Sequence, residues 1–266
     1  METKVRQPAV AGLFYPDDPD DLQTVLAESF DKARRDRPVR TPAPKALIVP
    51  HAGYIYSGPV AASAYRLLAA GKEVISRVVL LGPSHRAPLE GLAVPSVDAL
   101  ATPLGLVPLD VENRDRVLAL PGVVVADAPH AAEHSLEVHL PFLQLVLDDI
   151  RVLPLVVGHA PVATVAAVLD AVWGGPETLI VVSTDLSHYH DHATAQKLDQ
   201  ATADAVVAGR TGTIDDGDAC GAYPLRGLLE TASRRHMAAQ LVDLRTSGDT
   251  AGPRDRVVGY GAFIVD

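Results

Sequence analysis

The sequence predicts an α/β fold, with a central mixed, largely parallel sheet flanked by helices on both faces. Three observations predict it. The apolar runs are short and rich in β-branched residues, and they alternate with longer stretches of helical character. Several runs are apolar throughout, as strands covered on both faces are. The last two runs have no clear helix between them, so they are expected to pair antiparallel and make the sheet mixed.

The elements follow in order. Lys45–Pro50 (KALIVP) is the first expected strand and Gly58–Ala70 an Ala-rich helix. Arg77–Leu81 (RVVLL) is a strand; Asp110–Leu120 and Glu137–Asp148 are helices. Val152–Val157 (VLPLVV) is a strand in which Pro154 points to an edge or a bulge, because proline cannot donate to a ladder. Pro161–Trp173 is a helix with proline near its start. Thr178–Ser183 (TLIVVS) is a strand, His192–Ala208 and Tyr223–Arg235 are helices, and Gln240–Leu244 and Val257–Val265 are the closing strands. The most linker-like stretch, Arg35–Lys45, lies too near the start to divide two domains, so residues 1–266 are expected to form one domain.

With 266 residues, 48% of them hydrophobic, the chain has ample material for a core. Its 33 acidic residues against 23 Lys and Arg leave a formal charge of -10. Such a surface repels phosphate backbones, so nucleic acid is not an expected partner. No apolar stretch approaches the roughly 20 residues that span a bilayer, and Met1–Pro8 lacks the apolar segment of a signal peptide. A soluble, cytoplasmic protein without membrane association is expected. The single cysteine, Cys220, excludes an intrachain disulfide and fits a reducing compartment.

The ten histidines carry the functional argument through their placement. KALIVP runs into His51-Ala52-Gly53-Tyr54, VVLLGPS into His85, and LIVVS into Thr184-Asp185-Leu186-Ser187-His188. Open α/β sheets bind ligands outside the carboxyl ends of their parallel strands. His51, His85, Asp185 and His188 are therefore expected to converge. Imidazoles with one anionic partner suit a mononuclear metal that keeps open positions. The third ligand stays open at this point between Asp185, Glu133, Glu137 and Cys220. Glu133-His134-Ser135-Leu136-Glu137-Val138-His139 looks metal-like without being an HExxH motif, and Ser135 could instead cap a helix. His188 and His192 would share a face if a helix began there, which is the zinc-hydrolase alternative. Cys220 lies just before a helix with Pro224 near its start, where a thiolate is favoured.

These segments resemble one family. PHAGYIYSG (Pro50–Gly58), LGPSH (Leu81–His85), EHSLEVHLP (Glu133–Pro141), STDLSHY (Ser183–Tyr189) and Cys220–Gly221 are similar, in this order, to Memo proteins, as are AGLFYP (Ala11–Pro16) and VVGYGAFIV (Val257–Val265). The resemblance covers essentially the whole chain. It implies the fold of class III extradiol dioxygenases and a metal held by His51, His85 and Cys220. Asp185 and His188 would serve as catalytic residues, with Tyr54, Glu133 and His134 in the pocket. It implies iron(II) first, with copper or zinc as alternatives, and a dioxygenase-like oxidoreductase acting on a small molecule or peptide. Prokaryotic members of this family accompany a radical-SAM protein and an AMMECR-type protein, so the alternative is a non-catalytic metal carrier or partner module acting with them. In the dioxygenases the third ligand is a carboxylate. Here it would be an oxidisable thiolate, so ring cleavage does not carry over from the fold.

Overall fold

The structure is a computed structural model that describes residues 3–35, 38–39 and 41–266. The linker-like stretch at 35–45 falls partly outside them.

In chain order the elements are β1 (Val5–Arg6), α1 (Pro19–Asp31), β2 (Ala46–Val49), α2 (Tyr54–Tyr65), β3 (Arg77–Pro83), β4 (Leu92–Val94), β5 (Ala99–Thr102), β6 (Gly105–Pro108), α3 (Val111–Leu118), β7 (Val123–Val125), α4 (Ala128–Ala131), α5 (Leu140–Val146), β8 (Arg151–Val157), α6 (Val162–Val172), β9 (Thr178–Ser183), β10 (His188–His190), α7 (His192–Val207), α8 (Ala222–Arg234), β11 (Ala239–Thr246), α9 (Ser247–Thr250) and β12 (Val257–Val265).

The main sheet runs β10-β12-β2-β9-β3-β8-β4-β7, with β11 also on β12. Its centre, β2, β9, β3 and β8, is parallel. β12 lies antiparallel to β2, β11 and β10, and β4 meets β8 antiparallel through two residues. The sheet is therefore mixed and largely parallel at its core, as expected. Strand periodicity divides the core. Leu47, Val49, Leu80 and Val181 pack on one face with α1, α2 and α5. Ala46, Ile48, Leu81 and Val182 pack on the other with α3, α6, α7 and α8. Both faces of the central strands are covered, which is why β9 is buried at all six positions.

Several local expectations are corrected. β8 is an inner strand, but Pro154 faces a local gap in its outer side. There Asp110 N–H binds the Val152 carbonyl and β4 joins only at Val156 and Val157. The missing N–H thus costs no ladder bond. The helix expected at 137–148 opens as a 3-10 turn over Glu137–His139 before α5. The helix expected from Gly58 already starts at Tyr54 and tightens to 3-10 geometry after Tyr65. In α8, Gly221 is the N-cap, so Pro224 is the third helical residue. α1 was missed although Asp18 caps it, accepting from the N–H groups of Asp20 and Asp21, with Pro19 following. A second sheet, β1-β5-β6, was also missed. No described helix is long and apolar enough to cross a membrane.

Candidate metal centre

β2, β9 and β3 run parallel, so the residues after them leave the same edge of the sheet. His51 follows β2, His85 follows β3, and Asp185 follows β9. The expected convergence occurs for His51, His85 and Asp185. His134 joins it from the segment between α4 and the 3-10 turn. Ring centroids lie 5.1 Å apart for His51–His85, 5.3 Å for His51–His134 and 4.7 Å for His85–His134. One ligand nitrogen from each ring lies within 4.8 Å of the others, the spacing of a group able to hold a single ion.

The outer nitrogens are already assigned. His51 Nδ1 lies 2.6 Å from Ser183 Oγ. His85 Nδ1 lies 2.9 Å from Glu133 Oε1. Each ring therefore has Nε2 left for a ligand. Ligating histidines are commonly held this way, by a hydroxyl, carbonyl or carboxylate behind them. His134 Nδ1 is buried without a hydrogen-bond partner; Glu133 Oε1 is 3.3 Å away but makes no bond to it. Two pre-oriented imidazoles, with a third ring bringing one ligand atom within 4.8 Å of theirs, form a donor set that fits a transition metal.

Glu133 is the brace of this group. It accepts from His85 N–H at 2.6 Å, His134 N–H at 3.0 Å and Ser135 N–H at 2.9 Å, besides the His85 ring. Burial alone would raise its carboxyl; the hydrogen bonds from His85 and Ser135 outweigh burial and hold it at about 2. Ser135 caps no helix: its hydroxyl donates to the Pro83 carbonyl. This close seat is available because position 82 is glycine, where a Cβ would lie 2.8 Å from Ser135 Oγ.

Cys220 stands beside His51, with Sγ 3.4 Å from Nε2. Asp185 N–H lies 3.3 Å from the sulfur. Burial, and then Asp185, pushes the thiol up to about 12. The approach depends on Gly221, where a Cβ would strike the Ser183 carbonyl and Thr184. Asp185 Oδ1 accepts from His51 N–H at 2.8 Å, and Oδ2 lies 4.0 Å from His51 Nε2. Burial raises its carboxyl to about 7. Burial lowers His51 well below its ordinary value, with His85 and His134 next in effect, and lowers His134 to about 4.

The remaining candidates are placed elsewhere or held differently. Glu137 is spent on Arg6, the N–H groups of Ala9 and Val10, and the Tyr15 hydroxyl, at 2.7 to 2.9 Å. That clasp ties down the N-terminal segment, whose Phe14 ring lies 4.7 Å from His134. Tyr54 packs in the core against Phe142 and donates to the Val138 carbonyl. His188 is tied by a hydrogen bond to the backbone of Leu186, and burial lowers its pKa. It begins β10, whereas His192 opens α7 and binds Asp249 at 2.7 Å. The two do not share a helix face, which removes the geometric basis of the zinc-hydrolase alternative. Sequence reasoning missed Ser183 and His139. His139 Nε2 lies 2.9 Å from Ser183 Oγ, and only their position in the quoted motifs marked them.

The family model described as Memo-like protein matches residues 6–264. A MEMO1 family protein of Aquifex aeolicus is 36% identical over 272 residues, covering 98% of this chain and 99% of its own. One of Methanothermobacter thermautotrophicus is 36% identical over 276 residues, covering 96% and 98%. The crystal structure of uncharacterized protein JW3007 from Escherichia coli K12 has a TM-score of 0.53 at 13% identity, covering 82% of this chain and 98% of that one, which speaks for the fold alone. With the motifs, the sheet and a family match over nearly its full length in agreement, the chain belongs to the Memo family.

Proposed function

We propose that the protein binds one transition-metal ion through His51, His85 and His134, with the Cys220 thiolate as the further ligand, and works as a metal-dependent oxidoreductase. One observation carries the reading. Three imidazoles bring ligand atoms within 4.8 Å of one another, while the outer nitrogens of His51 and His85 are already taken and His134 keeps a buried nitrogen without a partner. Imidazole with thiolate suits iron(II) or copper, and zinc as well. When bound, such an ion supplies Lewis acidity and, for iron or copper, redox chemistry.

The protein's own groups then divide the remaining work. Glu133 keeps the His85 ring oriented and donating. Asp185 Oδ2 and the His188 ring hold or take up a proton beside the ion, being respectively a carboxyl raised to about 7 and an imidazole. Phe14 covers His134 on one side. A small molecule or peptide is the proposed ligand, and a radical-SAM or AMMECR-type protein the proposed partner, within a single cytoplasmic domain.

The test is elemental mass spectrometry on protein prepared without oxygen, for wild type, His51→Ala, His134→Ala and Cys220→Ala. Near one iron or copper per chain in wild type, lost in His51→Ala and reduced in the other two, is expected. Full occupancy in His51→Ala overturns the centre; full occupancy in Cys220→Ala removes the thiolate from the ligand set. Oxygen uptake with catechols supports the oxidoreductase, whereas metal transfer to a partner protein without turnover supports the carrier.

A further inference from the structure

Behind His51 lies a closed chain of hydrogen bonds that ends in the core. Ser183 Oγ donates to the Ser135 carbonyl at 2.6 Å. A serine hydroxyl has one proton and two lone pairs, and a carbonyl can only accept. The proton is therefore spent, and the two other neighbours of Ser183 Oγ must both be donors. These are His51 Nδ1 at 2.6 Å and His139 Nε2 at 2.9 Å. His139 is fully buried and both its nitrogens face neutral groups, so it stays uncharged; burial takes it down to about 3. With Nε2–H donating, its Nδ1 accepts from the Tyr65 hydroxyl at 3.0 Å. Every proton in the chain has one assignment.

We infer that Ser183, its proton held by the Ser135 carbonyl, fixes His51 in the Nδ1–H tautomer, so that Nε2 presents a lone pair to the ligand side, with His139 and Tyr65 closing the chain behind it. That the lone pair meets a metal ion rests on the function proposed above; the tautomer itself does not. In the opposite tautomer Ser183 would turn its proton to His51, leaving the wholly buried Ser135 carbonyl without its donor. The register makes the arrangement possible: Val49 pairs with Ser183, so the end of β9 sits beside the turn that carries His51. The chain is a lock and not a proton path, because Tyr65 has no exposed surface and stacks on Phe142 at 5.0 Å and 7°. Ser183 is a positioning residue, acting on the ion only through His51.

Histidine-ring 15N spectra of the metal-free protein read the tautomers directly, and chelator competition with Zn(II) reads affinity. Wild type is expected to show His51 as Nδ1–H and His139 as Nε2–H. Ser183→Ala is expected to give mixed His51 tautomers and to weaken Zn(II) binding about 10- to 100-fold, the usual effect of losing a group behind a ligating histidine. The double variant Tyr65→Phe/His139→Phe removes both polar groups together, leaves neither orphaned, and is expected to fold with His51 still at Nδ1–H, because Ser183 still gives its proton to the Ser135 carbonyl. His51 protonated at Nε2 in wild type, an unmoved tautomer in Ser183→Ala, or a switch to Nε2–H in the double variant overturns the inference. His51 locked at Nδ1–H in a protein that takes up no metal upholds the lock and overturns the metal centre, so the two failures are distinct.

Discussion

His51 and His85 leave strands on either side of β9 and face each other at 5.1 Å, yet they are held by opposite chemistry. The His51 side is dry and neutral: a serine hydroxyl, a buried imidazole and a phenol in series. The His85 side is charged and half-open, with the ring on the Glu133 carboxylate and 28% of its side chain exposed. A carboxylate behind an imidazole strengthens it as a donor and brings one negative charge to balance a cation. A hydroxyl behind an imidazole fixes direction and adds no charge. The pair shows how one site gets orientation for one ring from a neutral wall and for the other from a charged one.

The largest expected effect breaks the charged wall. Glu133→Ala would leave four N–H donors, three main-chain and one ring, facing a void. Removing one member of a buried charged network costs about 3 to 5 kcal/mol. Urea unfolding of the metal-free variant should show a loss of that order, together with abolished metal uptake. A loss under about 1 kcal/mol would mean that Glu133 is not the brace. Glu133→Gln, with its amide oxygen in the Oε1 seat, keeps the three contacts made there, loses the one to His85 N–H, and should retain the fold while binding metal about 10- to 100-fold more weakly.

Acid separates the two walls in pH. His139, held at about 3, and His130, held at about 4 by burial, stay neutral in the fold but take a proton near 6.5 when unfolded. The unfolded state binds more protons in that window, so stability falls as pH drops from about 6.5 toward 4. For His130 alone the loss is roughly 3 kcal/mol. Glu133 runs in a lower window: its folded value near 2 lies below the unfolded 4.5, so its contribution is complete above 4.5 and is lost between 4.5 and 2. Urea midpoints of metal-free protein at pH 7, 5.5 and 4.5 should therefore already fall before Glu133 begins to titrate. In Tyr65→Phe/His139→Phe the slope between 6.5 and 4 should flatten. An unchanged slope would place the acid sensitivity elsewhere.

The sequence made the charged wall more legible than the neutral one. His51, His85 and Asp185 each follow a strand that reads as apolar and β-branched, and parallel strands bring their ends together. Glu133 and His134 stand in a motif whose chemistry is visible in one line of text. Ser183 reads as the last residue of a strand, and nothing local shows that its hydroxyl joins partners 48 and 132 residues away. His139 reads as a helix residue, and the 3-10 turn that aims it at Ser183 has no sequence signature. The short strands escaped for related reasons. β6 is exposed at three of its four positions and so lacks an apolar pattern. β10 holds Tyr189 at φ 66, a conformation unusual for a residue with a side chain, beside a register shift against β12.

The smallest expected effect tests how far the neutral wall extends. Tyr65→Phe alone removes the last hydrogen bond of the chain while keeping the ring on Phe142. Stability should fall by about 1 kcal/mol, the usual worth of such a bond. Zn(II) affinity should move less than threefold, because Ser183 still gives its proton to the Ser135 carbonyl and His139 still donates through Nε2. A tenfold loss of affinity would show that Tyr65 sets the tautomer of His139, and through it that of His51, making the phenol as much a part of the site as the serine. No change in either quantity would end the chain at His139, leaving Tyr65 as packing for the core.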